Sequence, residues 1–72
     1  MKIIRMRLKK CLEEKNMTRY ALSQVTGIKY QTIDNYYKNK VTRYNNDNVV
    51  KILVALDCQV GDLLELVEEE TQ

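Results

Sequence analysis

Histidine, proline, tryptophan and phenylalanine are absent from this sequence, and glycine and cysteine each occur only twice. Without histidine the chain lacks the commonest general base and the commonest metal ligand. Cys11 and Cys58 stand far apart with no CxxC spacing, so zinc or redox chemistry has no motif to rest on. The expectation is two reduced, hydrophobic cysteines, with a cystine between them as the alternative. Scarce glycine and absent proline argue against linkers and low-complexity tracts. No run is long and apolar enough for a membrane span and no signal peptide is visible, so a cytoplasmic protein with no membrane partner is expected.

The chain has 72 residues and a mass of 8.5 kDa. A domain of that size buries only about 60% of its unfolded surface. One domain over residues 1–72 is therefore expected, with little scaffold for a concave catalytic pocket. No nucleophile with its base, no paired carboxylates in a pocket and no metal set can be assembled from the residues. The reading is a binding protein, not an enzyme, with no cofactor and no small-molecule substrate.

The net charge of +2 hides a strong asymmetry. Up to Tyr44 there are eleven Lys and Arg against three acids, a balance of +8; the remainder has Lys51 against seven acids, a balance of −6. Such polarity attracts polyanions to one face. Ordinary solvated surface charge is the plainer alternative.

Apolar residues recur at spacings of three and four, interrupted at short intervals by Asn, Thr, Gly or Asp, which predicts an all-α, compact five-helix bundle. Leu8, Cys11 and Leu12 place a first helix ending near Lys15, with Asn16 as its stop. The segment MKIIRMR before it fits helix, strand or arm. Thr18 is positioned to cap a second helix over Arg19 to Thr26, stapled by Met17 to Leu22, and Gly27 supplies the left-handed residue at its end. A third helix begins at Tyr30. Its inner face is Ile33, Tyr36 and Tyr37; Gln31, Asn35 and Lys38 share the opposite face, flanked by Asp34. Asn45 caps a fourth helix, Asn46 to Leu56, whose apolar face is Val49, Ile52, Leu53 and Leu56, with Asp57 as its stop. A fifth helix starting at Gln59 or Val60 is expected to bury Val60, Leu63, Leu64 and Val67. Leu66 falls off that stripe and is a candidate dimer contact, and the acidic tail from about residue 68 to 72 is expected to fray.

Two short helices joined by a glycine turn, the second with an amide-bearing outer face beside basic loops, suit the DNA major groove. That groove is about 12 Å wide and admits one helix. Amide side chains match the donor and acceptor on the edge of adenine, a requirement that Gln31 and Asn35 meet. Ordinary solvated amides are the competing reading of those two positions taken alone.

The run MTRYALSQVTGIKYQTIDNYYKNKV resembles the helix-turn-helix of the Cro and cI repressor family, also called the Xre family. Leu22, Thr26-Gly27-Ile28, Thr32-Ile33 and Lys40 match the family pattern directly. The flanking RLKKCLEEKNMT and VVKILVALDCQVGDLL are similar to the family's first, fourth and fifth helices, so the likeness spans about Arg7 to Leu66. The resemblance implies a lambda-repressor-like DNA-binding fold with its helix-turn-helix at about 18–38. It also implies base contacts from Tyr30, Gln31, Thr32 and Asn35. Phosphate contacts fall on Thr18 and Arg19 at the start of the second helix, and on Lys38, Lys40, Arg43, Tyr44 and Asn45 after the third. Lys29 stands where the family prefers a capping Ser or Thr, and brings a cation there instead. Ser23 replaces the usual alanine, Lys38-Asn39 the usual Asn-Gly, and Tyr36-Tyr37 an aliphatic-acid pair. The implied function is a transcriptional regulator, expected to repress as a homodimer on double-stranded DNA. The rival is an antitoxin-like or adaptor module that keeps the fold without binding an operator.

Overall fold

The structure, a computed structural model, describes residues 1–69. Its elements run β1 (Lys2–Met6), α1 (Leu8–Glu14), α2 (Arg19–Thr26), α3 (Tyr30–Tyr37), α4 (Asn46–Leu56), α5 (Val60–Leu63) and β2 (Leu64–Glu68). Four helices stand where the periodicity puts them, and the fifth begins at the expected residue but ends after one turn. The fold is nevertheless not all-α, because β1 and β2 pair antiparallel, with Ile3 opposite Val67, Ile4 opposite Leu66 and Met6 opposite Leu64.

This ribbon corrects the expected fifth helix. Helix α5 is one turn long and buries Leu63, while Val60 is exposed and Leu64 to Glu68 are extended. The stretch LELVE fits both periods, and Gly61 weakens a helix by about 1 kcal/mol relative to alanine. The β-branched Ile3 and Ile4 across the molecule settle the choice, since a strand there gives both termini a partner. Glu68 is accordingly the last strand residue, not the start of a frayed tail, and Lys2 lies 3.8 Å from its carboxylate. Residues 70–72, where that tail was expected, lie outside the described residues.

Local chemistry sets the helix ends. The Thr18 hydroxyl accepts from the Ala21 N–H at 3.0 Å, and Asn45 Oδ1 accepts from the Asn48 N–H at 3.1 Å. Chain reversals use left-handed residues: Gly27 at φ 76°, Asn16 at 52°, Asn39 at 55° and Asp57 at 50°. Asparagine and aspartate tolerate that conformation because their short polar side chains bond locally.

Met6, Leu8, Cys11, Leu12, Leu22, Ile28, Ile33, Tyr36, Ile52, Leu56 and Leu63 form one buried cluster. Val49 and Leu53 pack against it half-buried. Cys11 is buried, donates to the Asp62 carbonyl at 3.3 Å, and is free, as is half-buried Cys58. Burial pushes both thiols up from their ordinary pKa. Among the described residues no helix is long and apolar enough to cross a membrane.

Candidate nucleic-acid interface

The turn between α2 and α3 is fastened by two hydroxyls. Ser23, buried, donates to the Ile28 carbonyl at 2.6 Å. Thr26 donates to the Leu22 carbonyl at 2.7 Å and accepts from the Ile28 N–H at 3.2 Å. Ser23 is thus more than a small stand-in for alanine: it ties the end of the turn to α2. Buried Ile28 anchors the turn from below.

The inner face of α3 is fixed by Ile33, fully buried, and Tyr36, whose hydroxyl accepts from Asn48 Nδ2 at 3.2 Å. Tyr36 also meets Tyr44 edge to face, ring centroids 5.6 Å apart. Tyr37 is half-buried, and its ring receives the Arg19 guanidinium at 4.2 Å. Both tyrosines therefore brace the helix, one on the core and one under a cation.

On the outer face Gln31 Nε2 donates to Asn35 Oδ1 at 3.1 Å. Among the described residues nothing engages the second Nε2 hydrogen or the Oε1 of Gln31, a donor beside an acceptor. Gln31 and Tyr30 are exposed, whereas Thr32 and Asn35 are half-buried.

The expected phosphate-contacting residues divide into three groups. Lys29, Lys40 and Arg43 are exposed, and no ion pair engages them among the described residues. Arg19 and Lys38 converge on Asp34, with Nη1 to Oδ1 at 2.6 Å and Nζ to Oδ2 at 3.0 Å. They are not free cations in this state. The hydrogen bond from Lys38, assisted by Arg19, holds the Asp34 carboxyl below its ordinary pKa. The Tyr44 hydroxyl is buried with no hydrogen-bond partner among the described residues, and burial followed by the nearness of Tyr36 pushes its pKa up. Thr18 and Asn45 spend their side-chain oxygens on helix caps.

Asn39 is a positioning residue whose wider role sequence reasoning missed. Its Oδ1 accepts from the Met6 N–H at 2.8 Å and its Nδ2 donates to the Met6 carbonyl at 3.0 Å. The amide completes a strand-like pair with β1, tying the ribbon to the end of α3. The Asp34 to Lys38 link was readable from its four-residue spacing. Nothing local signals the partnership of Arg19 with Asp34 or of Asn39 with Met6.

A short capped helix, a glycine turn and a second helix with a solvated amide face define a helix-turn-helix unit. The profile of the Cro/C1-type HTH DNA-binding domain matches residues 7–69, and the chain belongs to that family. The fold is similar to that in the crystal structure of the transcriptional regulator VanUg, Form II, with a TM-score of 0.78 at 23% identity, over 94% of this chain and 89% of that one. A search of curated proteins found no match.

Proposed function

We propose that this chain is a sequence-specific double-stranded DNA-binding regulator that represses transcription by occupying an operator, with α3 in the major groove. The observation that carries the reading is the Gln31–Asn35 pair on a helix whose other face is locked by Ile33 and Tyr36. Asn35 holds the Gln31 amide in place while leaving it the donor and acceptor that the adenine edge requires. Tyr30, at the head of the helix, offers a ring to a thymine methyl or sugar, and Thr32 contributes at closer approach. Lys29, Lys40 and Arg43 supply phosphate contacts, which fix register without reading sequence. Arg19 and Lys38 share Asp34, so this cluster brings a net single positive charge to the backbone, and Thr18 contributes through the N-terminus of α2. The buried Tyr44 hydroxyl drops out of the set. Two copies on half-sites about 34 Å apart provide the affinity that one short helix lacks. The working compartment is the cytoplasm.

Selection of bound duplexes from a randomised library at near-physiological salt tests this. An enriched inverted repeat is expected. Gln31→Ala should relax preference at particular bases at a cost of about 1–3 kcal/mol, whereas Lys40→Ala or Arg43→Ala should weaken all sequences alike and flatten the salt dependence. A Gln31→Ala variant with an unchanged preferred sequence refutes the docking of α3. One observation favours the protein-interaction reading: Val25, Val50 and Val54 stand exposed beside Met17 along a shallow groove between α2 and α4. A library that shows no enrichment, only salt-sensitive retention, turns the reading in that direction.

A further inference from the structure

Between Glu14 and Asp47 the sequence holds one acid, Asp34, and it stands on α3 among the cations expected to meet phosphate. Both of its carboxylate oxygens are engaged: Oδ1 accepts from Arg19 Nη1 at 2.6 Å, and Oδ2 lies 3.0 Å from Lys38 Nζ. With its side chain only 14% exposed, the carboxylate serves those two cations and is poorly placed to meet a base edge. Each cation is also held a second time. The Arg19 guanidinium lies over the Tyr37 ring at 4.2 Å, and the Lys38 N–H donates to the Asp34 carbonyl at 3.0 Å. Both nevertheless keep contact with solvent, at 33% and 47% exposure, and Arg19 Nε and Nη2 have no hydrogen bond among the described residues. They are fixed in place yet still open to an anion. Lys29, Lys40 and Arg43 differ on the first count, since no ion pair engages them among the described residues.

We propose that Asp34 is a positioning residue that sets how far the protein discriminates its operator from bulk DNA, by holding Arg19 and Lys38 in one arrangement at the expense of one positive charge. The inference rests on the DNA reading above and deepens it. The carboxylate acts in two ways of opposite sign. By cancelling one unit of charge it weakens attraction to every duplex alike, because non-specific affinity follows the number of phosphates neutralised. By ordering two long side chains before DNA arrives it removes an entropic cost of binding, which for such a side chain is a factor of about two to ten. That second effect is specific. Where α3 is seated on its bases, the phosphates stand in one register and a fixed Arg19 meets a fixed partner. On random DNA the protein has no fixed register, and order in Arg19 and Lys38 brings nothing. Cancelled charge therefore lowers affinity for all sequences, while side-chain order raises it for one.

Binding of the full chain to a random-sequence duplex and to the duplex enriched by selection, each titrated over about 50–300 mM salt, tests this. Asp34→Asn leaves the two cations without the acid that offsets one of them. The salt slope on random DNA should steepen by about 0.9, which at 0.15 M is about a fivefold gain in affinity. On the enriched duplex the gain should be smaller, so the ratio of the two affinities falls about threefold to tenfold. Arg19→Lys keeps every charge but loses the planar fork and its stacking on Tyr37. It should lower the ratio with the random-DNA slope unchanged, and so tests the positioning even if the Asn variant does not fold. A variant Asp34→Asn with the wild-type slope overturns the proposal. So does one whose affinity rises equally on both duplexes, since Asp34 then only cancels charge. A wild type that enriches no sequence overturns the DNA reading and this proposal with it, and that outcome is seen before any variant is made.

Discussion

Replacing Asn39 separates two contributions that one side chain makes. The residue sits at φ 55° just beyond α3 while its amide bonds both main-chain groups of Met6, at 2.8 and 3.0 Å. Each neutral hydrogen bond contributes about 0.5–1.5 kcal/mol net, so Asn39→Gly, which keeps the left-handed backbone, should cost about 1–3 kcal/mol. Asn39→Ala loses the same bonds and adds about 1 kcal/mol for an alanine held at positive φ, giving about 2–4 kcal/mol. A domain of this length has a stability of about 4–11 kcal/mol, so the larger loss is a substantial share. Urea denaturation followed by far-ultraviolet circular dichroism, with unchanged slopes, measures both values. The reasoning fails if Asn39→Ala lies within about 0.5 kcal/mol of the wild type, or if the glycine variant is no more stable than the alanine one.

Asp34 makes the acid limb of stability a test of the Arg19 and Lys38 contacts. Its folded pKa is depressed, so the carboxylate stabilises the fold above the ordinary carboxyl range and that contribution is lost as pH falls through the lower folded value. The stability gap between wild type and Asp34→Asn should therefore close below about pH 4, and a gap independent of pH would contradict the pairing. Tyr44→Phe removes a buried hydroxyl with no partner among the described residues, and should be neutral or stabilising by up to about 1 kcal/mol in the same denaturation assay; a loss larger than that would mean the hydroxyl is bonded.

Where the candidate residues stand is legible from sequence when the physics stays within a turn or two. Gln31 and Asn35 share a face because they are four apart, and their amides meet at 3.1 Å. Lys29, Lys40 and Arg43 are exposed because nothing in their neighbourhood in the chain competes for them. The burial of the Tyr44 hydroxyl was not legible for the opposite reason: in sequence the residue sits in a basic loop, and only the approach of Tyr36 from α3 draws it inward. Arg19 looked like a free cation until α3 brought Asp34 alongside, fifteen positions on in the chain.

The second, third and fourth helices and the caps of the second and fourth were determined by the sequence itself, since Thr18, Gly27 and Asn45 act on groups within a few residues of themselves. The tertiary structure alone decided that Leu64 to Glu68 would be a strand. Its pattern satisfies both a helix and a strand, and the deciding partner, Lys2 to Met6, lies at the other end of the chain. A local period records which face is apolar, but the hydrogen bonds of a ribbon are satisfied only once the intervening helices have folded and brought its two strands together.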